Sequence, residues 1–316
     1  MGQGSSKKGG DAGGVSTKVD NFNLKAKRVN IMEQKLKNAR ATGLLALQAS
    51  KLKEFPAEAL AIAKMRQLDL SDNAIREVPS GIAALSQLKT LKLAGNQLGS
   101  GRGRGGGGGG GGGAGGGATA GGASGFGAAA DALLGCVALQ SLALDRNGLH
   151  ELPQLPPKLK SLTAAGNALT ALPAALRSCA PLLKTLDLSS NRLELLDPSL
   201  CIALVALEEL VLDDNQLLML PDEIAGMARL RSLSARRNRL QAVPPAVLRD
   251  SAVDKMHLEG NAITKRQFME TDGFEEFQKK RELLKKKDIG IAMEMSGMDL
   301  CGLDAEAVKP PGVPPR

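Results

Sequence analysis

The chain has 316 residues, a formal net charge of +8 and a hydrophobic fraction of 43%, yet it contains no Trp or Tyr. No stretch approaches the roughly 18 consecutive apolar residues of a membrane span, and the N-terminus lacks the apolar central region of a secretory signal. The four cysteines lack the paired spacing of a disulfide framework or a zinc site. These features predict a protein of a reducing, cytoplasmic compartment.

The basic charge is concentrated near the ends of the chain. Residues 1–41 carry nine Lys or Arg against three Asp or Glu. A nucleic-acid-binding domain more often spreads its basic residues along one folded face, so nucleic acid is not the expected partner. Residues 1–20 are polar and glycine-rich, and we interpret them as a disordered leader.

The leader begins with the pattern of an N-myristoylation signal. In "MGQGSSKK", removal of Met1 would expose Gly2, and Ser6 supplies the hydroxyl that the pattern requires. One acyl chain gives only marginal membrane binding, and each basic residue near an anionic surface adds about 1 kcal/mol. The sequence therefore predicts lipidation at Gly2 and reversible, salt-sensitive attachment to the periphery of anionic membranes.

A basic helix is predicted over residues 21–41. Val29, Met32, Leu36 and Ala39 recur at helical spacing, and Gly43 follows as a stop signal. Such a helix would cover the first unit of a repeat array.

Residues 42–263 repeat the pattern L-x-x-L-x-L-x-x-N-x-L. Eight copies carry the asparagine, and a weaker first copy, "TGLLALQASKL", has Ser50 in its place. Adjacent asparagines are 20 to 24 residues apart, apart from one interval of 51. The asparagines are Asn73, Asn96, Asn147, Asn167, Asn191, Asn215, Asn238 and Asn261.

The spacing indicates the structural role of each position in the repeat. The leucines alternate, so a short strand sends them inward while the intervening residues face outward. The asparagine amide can donate and accept hydrogen bonds at once, satisfying backbone groups of its own and the adjacent coil. About nine stacked coils predict an α/β leucine-rich repeat solenoid, with a curved parallel sheet on the concave side and helical caps at both ends.

A glycine-rich insertion at 100–128 accounts for the long interval. The repeat pattern resumes after it, at "AAADALLGCVALQSL", and a longer flexible loop costs only about 0.6 kcal/mol per doubling to close. We interpret the insertion as a disordered low-complexity segment. The alternative is an RNA-associated protein acting through "GRGRGG".

The last coil is followed by a predicted helical cap at 264–287 and a flexible tail at 288–316. Phe268, Phe274 and Phe277 supply apolar groups that can pack onto the last coil, while the Lys and Arg between them face water.

A candidate protein-binding patch lies on the predicted concave face, where an acidic strip adjoins a basic one. Complementary charge of this kind suits partner orientation and association rate. The alternative is that these charges satisfy each other across neighbouring strands. The candidate residues are Asp187, Glu209, Asp213, Asp214, Arg236, Arg237, Lys255 and His257.

No catalytic, cofactor or metal constellation is predicted. The chain has only two histidines, and no Ser, Cys or Asp stands at a motif spacing that would make either one a catalytic base. The glycines do not form a phosphate-binding loop. We therefore expect a monomeric, non-enzymatic scaffold that binds a protein, or alternatively a soluble regulatory subunit of a signalling enzyme such as a phosphatase.

The chain resembles the intracellular leucine-rich repeat family of leucine-rich repeat-containing protein 57. The resemblance covers residues 36–287 outside the insertion, and the N-terminal "MG" matches as well. It rests on "ATGLLALQASKLKEFPAE" and "LEGNAITKRQFMETDGFEEFQKKRELLKKK". It implies an intracellular, lipid-anchored interaction protein, and it identifies no partner.

Overall fold

The fold is built on nine three-residue strands, each supplied by the alternating leucine segment of one repeat. The structure, a computed structural model, describes residues 31–100 and 131–288 and the single residue Cys301. The side chains of residues 100 and 284–288 are outside the description. Gly2, the leader, almost all of the insertion and most of the C-terminal tail lie outside the described residues.

The strands form one parallel sheet in which chain order and spatial order are the same. Corresponding leucines pair throughout, as in Leu186 with Leu210 and Leu210 with Leu233. The strands are β1 (Leu44–Ala46), β2 (Gln67–Asp69), β3 (Thr90–Lys92), β4 (Ser141–Ala143), β5 (Ser161–Thr163), β6 (Thr185–Asp187), β7 (Glu209–Val211), β8 (Ser232–Ser234) and β9 (Lys255–His257).

Short helices return the chain along the convex side. Most are single 3₁₀ turns, at Ser80–Ala84, Leu98–Ser100, Ala132–Gly135, Ala174–Ser178 and Asp222–Gly226. The α-helices are α1 (31–42), α2 (Ala57–Leu60), α3 (Pro198–Ala203), α4 (Pro245–Asp250), α5 (Lys265–Glu270) and α6 (Phe274–Asp288). None of the described helices has both the length and the apolar content needed to cross a bilayer.

The inward leucines of successive coils form one continuous core. The central strand residues, such as Leu91, Leu142 and Leu210, are at most 3% exposed, since stacking covers apolar surface that no single coil could bury. The predicted class, an α/β leucine-rich repeat solenoid, is confirmed.

The register continues across the insertion. β3 pairs with β4 through Leu91 and Leu142, in the same alignment as the other strands. The amide of Leu98 donates to Oδ1 of Asn147 over 3.3 Å, and the Asn147 Nδ2 donates to the Leu93 carbonyl over 2.9 Å. The two coils flanking the insertion are therefore direct neighbours.

Helices close both ends of the core. At the front, α1 buries Leu36 and Ala39, and Gly43, at φ 76°, donates its amide to the Ala39 carbonyl over 2.8 Å. At the back, α5 and α6 bury Phe268 and Phe277, whose rings meet edge to face with centroids 6.2 Å apart.

Candidate partner-binding face

The asparagine ladder fixes where each outward side chain stands. The Asn215 Nδ2 donates to the carbonyls of Leu188 and Leu212 over 3.0 and 2.9 Å, and its Oδ1 accepts from the Leu193 amide over 3.0 Å. The same two-coil pattern recurs at Asn167, Asn191 and Asn238. Each asparagine thereby joins two coils and holds the preceding strand in place.

The residue immediately before each asparagine adopts a left-handed backbone. Asp214 and Arg237 have φ values of 55° and 48°, and Gly166 and Gly260, at the equivalent position in other coils, have 66° and 76°. A residue other than glycine in this conformation costs roughly 1–2 kcal/mol. The sequence pattern alone did not reveal this requirement, although glycine at the equivalent position of three coils was a signal for it.

Asp214 and Arg237 form an ion pair between adjacent coils. Arg237 Nη2 donates to Asp214 Oδ2 over 2.6 Å, and Arg237 Nε also bonds to Asp214 Oδ1. The hydrogen bond from Arg237 holds the pKa of Asp214 below its ordinary value and raises that of the guanidinium. Gly260 makes room for this pair, because a Cβ at Gly260 would lie 2.9 Å from Arg237 Cγ.

Asp213 accepts hydrogen bonds from the neighbouring coil. Its Oδ1 accepts from Ser234 Oγ over 2.6 Å and from the Arg236 amide over 2.8 Å. Asp187 is likewise engaged locally, because its Oδ1 accepts from the Ser189 amide over 2.9 Å. Both carboxylates therefore stabilise the local structure of the sheet.

Arg236 and Glu259 form a second charged contact, and His257 lies beside it. Arg236 Nε lies 2.9 Å from Glu259 Oε2, but neither buried atom makes an aligned hydrogen bond, so the attraction is coulombic. His257 Nδ1 lies 3.8 Å from Glu259 Oε1. Glu259 thus faces both neighbours, and sequence analysis did not include it among the candidate residues.

Glu209 and Lys255 differ from the other six predicted residues. Both side chains are exposed at the first position of their strands. Within the described part of the chain, neither takes part in an ion pair or a side-chain hydrogen bond. Ser232 aligns with both of them, so the two charges stand two strands apart, about 9.5 Å at the usual strand spacing.

The N-terminal half of the same face is also internally paired. Arg146 Nη2 lies 3.3 Å from Asp72 Oδ1, and Gln48 Nε2 donates to the other oxygen of Asp72 over 3.0 Å. Lys92 lies 3.7 Å from Asp69. Of the eight candidate residues, Glu209 and Lys255 are thus the two that have neither an ion pair nor a side-chain hydrogen bond within the described part of the chain.

No cluster of three His, Cys, Asp or Glu side chains that could hold a metal ion occurs among the residues that the structure describes. His150 is exposed in a turn, on a different coil from His257. All four cysteines are buried, and no disulfide joins them.

The geometry defines a leucine-rich repeat protein whose concave sheet presents a charged surface. A family profile described as "Leucine rich repeat" matches residues 157–217. A curated relative, Plant intracellular Ras-group-related LRR protein 7 of Oryza sativa subsp. japonica, is 41% identical over 58 residues, or 18% of this chain. The match spans only 22% of that relative's length. The chain thus contains leucine-rich repeats.

Two solved structures share the fold. The Leptospira interrogans LRR protein LIC12759 aligns with a TM-score of 0.52 and 23% identity, covering 75% of this chain and 58% of its own. Internalin C2 from Listeria monocytogenes str. 4b F2365 aligns with a TM-score of 0.55 and 17% identity, covering 72% of this chain and 92% of its own. At these identities the likeness establishes the fold alone.

Proposed function

We propose that this chain is a non-enzymatic interaction scaffold that binds a protein partner on the C-terminal half of its concave face. The observation that supports this site is that Glu209 and Lys255 make no ion pair or side-chain hydrogen bond among the described residues, whereas the other six candidate residues make one or the other. An exposed acid and an exposed base about 9.5 Å apart present a partner with two complementary positions, which favours orientation and fast association.

The partner chemistry follows from the same arrangement. A protein segment with a basic side chain over Glu209 and an acidic one over Lys255 would match the face. Hydroxyls lie between and beside these charges, at Ser232 and Thr185, and they can donate or accept hydrogen bonds. The patch contains no aromatic side chain, so binding through it depends on polar contacts and on salt concentration.

We further propose that N-myristoylation at Gly2 and the basic leader hold the scaffold reversibly at anionic membranes. The support for this part is the N-terminal sequence "MGQGSSKK" and the basic residues that follow it. Membership of the leucine-rich repeat-containing protein 57 family is proposed on the resemblance of residues 36–287 outside the insertion.

Charge reversal tests the site. Glu209→Lys and Lys255→Glu should each weaken capture of the cellular partner, and reversal of two exposed charges outside the strands, Arg192→Glu and Glu194→Lys, serves as the control. Capture that survives both concave reversals would refute the proposed face.

Acylation is tested separately. Intact mass establishes whether Gly2 carries myristate, and fractionation of cells compares wild type with Gly2→Ala at low and high salt. An identical distribution of the two proteins would favour a soluble regulatory subunit over a membrane-tethered scaffold.

A further inference from the structure

One backbone hydrogen bond joins each coil to the next throughout the solenoid, and an equivalent bond is present at the C-terminal edge of the sheet. In each of the first eight coils, the amide of the third inward residue donates to a carbonyl in the strand of the following coil. The bonds are 2.7 to 2.9 Å long and join Leu47 to Asp69, Leu70 to Lys92, Leu93 to Ala143, Leu144 to Thr163, Ala164 to Asp187, Leu188 to Val211, Leu212 to Ser234 and Ala235 to His257.

The ninth coil has no tenth coil beside it among the described residues, yet its equivalent amide is paired. Leu258 donates to the carbonyl of Cys301 over 3.0 Å. Cys301 therefore supplies the carbonyl that the next strand supplies in each preceding coil, although its own backbone is a turn at φ 57°.

Cys301 is also part of the hydrophobic core. The residue is only 2% exposed and lies in the same buried cluster as Leu258 and Met256. Its contact with the sheet thus combines a backbone hydrogen bond from Leu258 with burial of the Cys301 side chain.

The helical cap covers a different part of the last coil. In α6, Lys280 Nζ donates to the carbonyls of Leu248, Arg249 and Ser251, at the end of α4. Phe268 and Phe277 cover the apolar core. Neither helix supplies the partner of the Leu258 amide, so this edge depends on Cys301.

We propose that the β9 edge is a strand-pairing surface and that the chain's own backbone at Cys301 occupies it. An unpaired strand edge is a template for another chain, and an extended peptide can add to it as a further strand. Cys301 therefore blocks this edge against a second copy of the chain. This inference is independent of the partner site at Glu209 and Lys255.

Hydrogen exchange at single amides tests the proposal on the full-length chain. Cys301→Asp places a charge in a buried position and should release the contact, whereas Cys301→Ala should retain it. The Leu258 amide should exchange about tenfold faster or more in Cys301→Asp and at the wild-type rate in Cys301→Ala. The Ala235 amide, which donates to His257, is the control and should stay protected in both.

Equal Leu258 exchange in wild type and Cys301→Asp would overturn the proposal. Faster exchange of Leu258 and Ala235 together would overturn it as well, because the whole end of the solenoid would then be opening. A synthetic peptide of residues 291–311, added to the full-length Cys301→Asp protein, should restore Leu258 protection in a saturable manner. The same peptide carrying Cys301→Asp should not.

The Cys301→Asp protein also reveals which other segment can pair with the β9 edge. Leu258 protection that returns as the protein concentration rises, without peptide, would identify a second copy of the chain and support the pairing surface. If the wild-type peptide fails to restore protection at any concentration, the edge does not accept an extended segment and the proposal is wrong.

Discussion

Arg237 forms an ion pair with Asp214 of the preceding coil, and both residues hold a left-handed backbone at φ 48° and 55°. The pair is confined to the turn where each coil leaves the concave sheet. Because both side chains point along the stack, the attraction adds to the asparagine bonds that join the two coils.

The pair predicts a stability difference that depends on acid. The pKa of Asp214 is lowered by its hydrogen bond from Arg237, so its contribution is present above the ordinary carboxyl pKa and is lost as pH falls through the lower folded value. Asp214→Asn should reduce the unfolding free energy by about 0.5 kcal/mol at neutral pH, and the gap should close in acid. Denaturant titrations from pH 7 down to pH 2 measure it; a gap that widens in acid would contradict this assignment.

The asparagine ladder predicts a larger effect in the interior than at the end. Asn215 is 7% exposed, and Asn215→Ala leaves the buried Leu193 amide without its partner. The Leu188 and Leu212 carbonyls each lose one of two asparagine donors, so the change should cost about 3 kcal/mol. Asn261 makes the same kind of bonds but is only half-buried, so water replaces part of them and Asn261→Ala should cost about half as much. Equal losses in urea titration would argue against burial as the cause.

Lys280 predicts a link between α6 and the last coils. Its ammonium donates three hydrogen bonds to carbonyls at the end of α4, and burial lowers its pKa. Lys280→Met should cost about 1–2 kcal/mol and speed amide exchange in α6. Lys279→Met is the matched control, since Lys279 is exposed and its one charged contact among the described residues is Glu275, 3.9 Å away. Identical amide exchange in the two variants would show that Lys280 does not hold α6 against the last coils.

The buried cysteines predict a loss of stability in alkali. Burial raises the pKa of Cys136 and Cys179 to about 11 and of Cys201 to about 12, from an ordinary value of 9.0. Stability is therefore fully present below pH 9 and falls as pH rises toward 11, by about 1.4 kcal/mol per pH unit for each thiol. The chain has no Tyr to obscure this titration.

A Cys201→Ala variant should show a shallower alkaline loss than wild type in urea titrations between pH 8 and pH 10.5. The three core thiols should also resist alkylation in the native protein, because the thiolate is the reactive form. Rapid labelling of Cys136 at pH 8 without unfolding would disprove its burial.

The fold could be predicted from sequence because each coil carries the residues that determine its own structure. The leucines, the asparagine and the turn recur in nearly every copy. One departure from the pattern, such as Ser50 at the asparagine position of the first copy, therefore does not change the predicted fold. Coils contact mainly their neighbours, which is also why the register survives the insertion between Leu98 and Ala132.

The candidate site could be predicted only as a group of eight residues. Sequence placed them on one face but could not separate Glu209 and Lys255 from Asp213 or Asp214, because pairing depends on which side chains meet across the stack. The bond from Asp213 to the Arg236 amide depends on two coils at once, and no spacing within one repeat encodes it. The Cys301 contact was missed for a related reason, since it joins the tail to a strand 43 residues earlier.

Site-specific photo-crosslinking in cells tests the central claim most directly. A photoreactive residue is placed at position 209, 255 or, as a convex control, 202, where Ile202 is 60% exposed. The proposed scaffold predicts adducts with one and the same protein from positions 209 and 255, and none with that protein from position 202. Adducts from the convex position alone would contradict binding on the concave face.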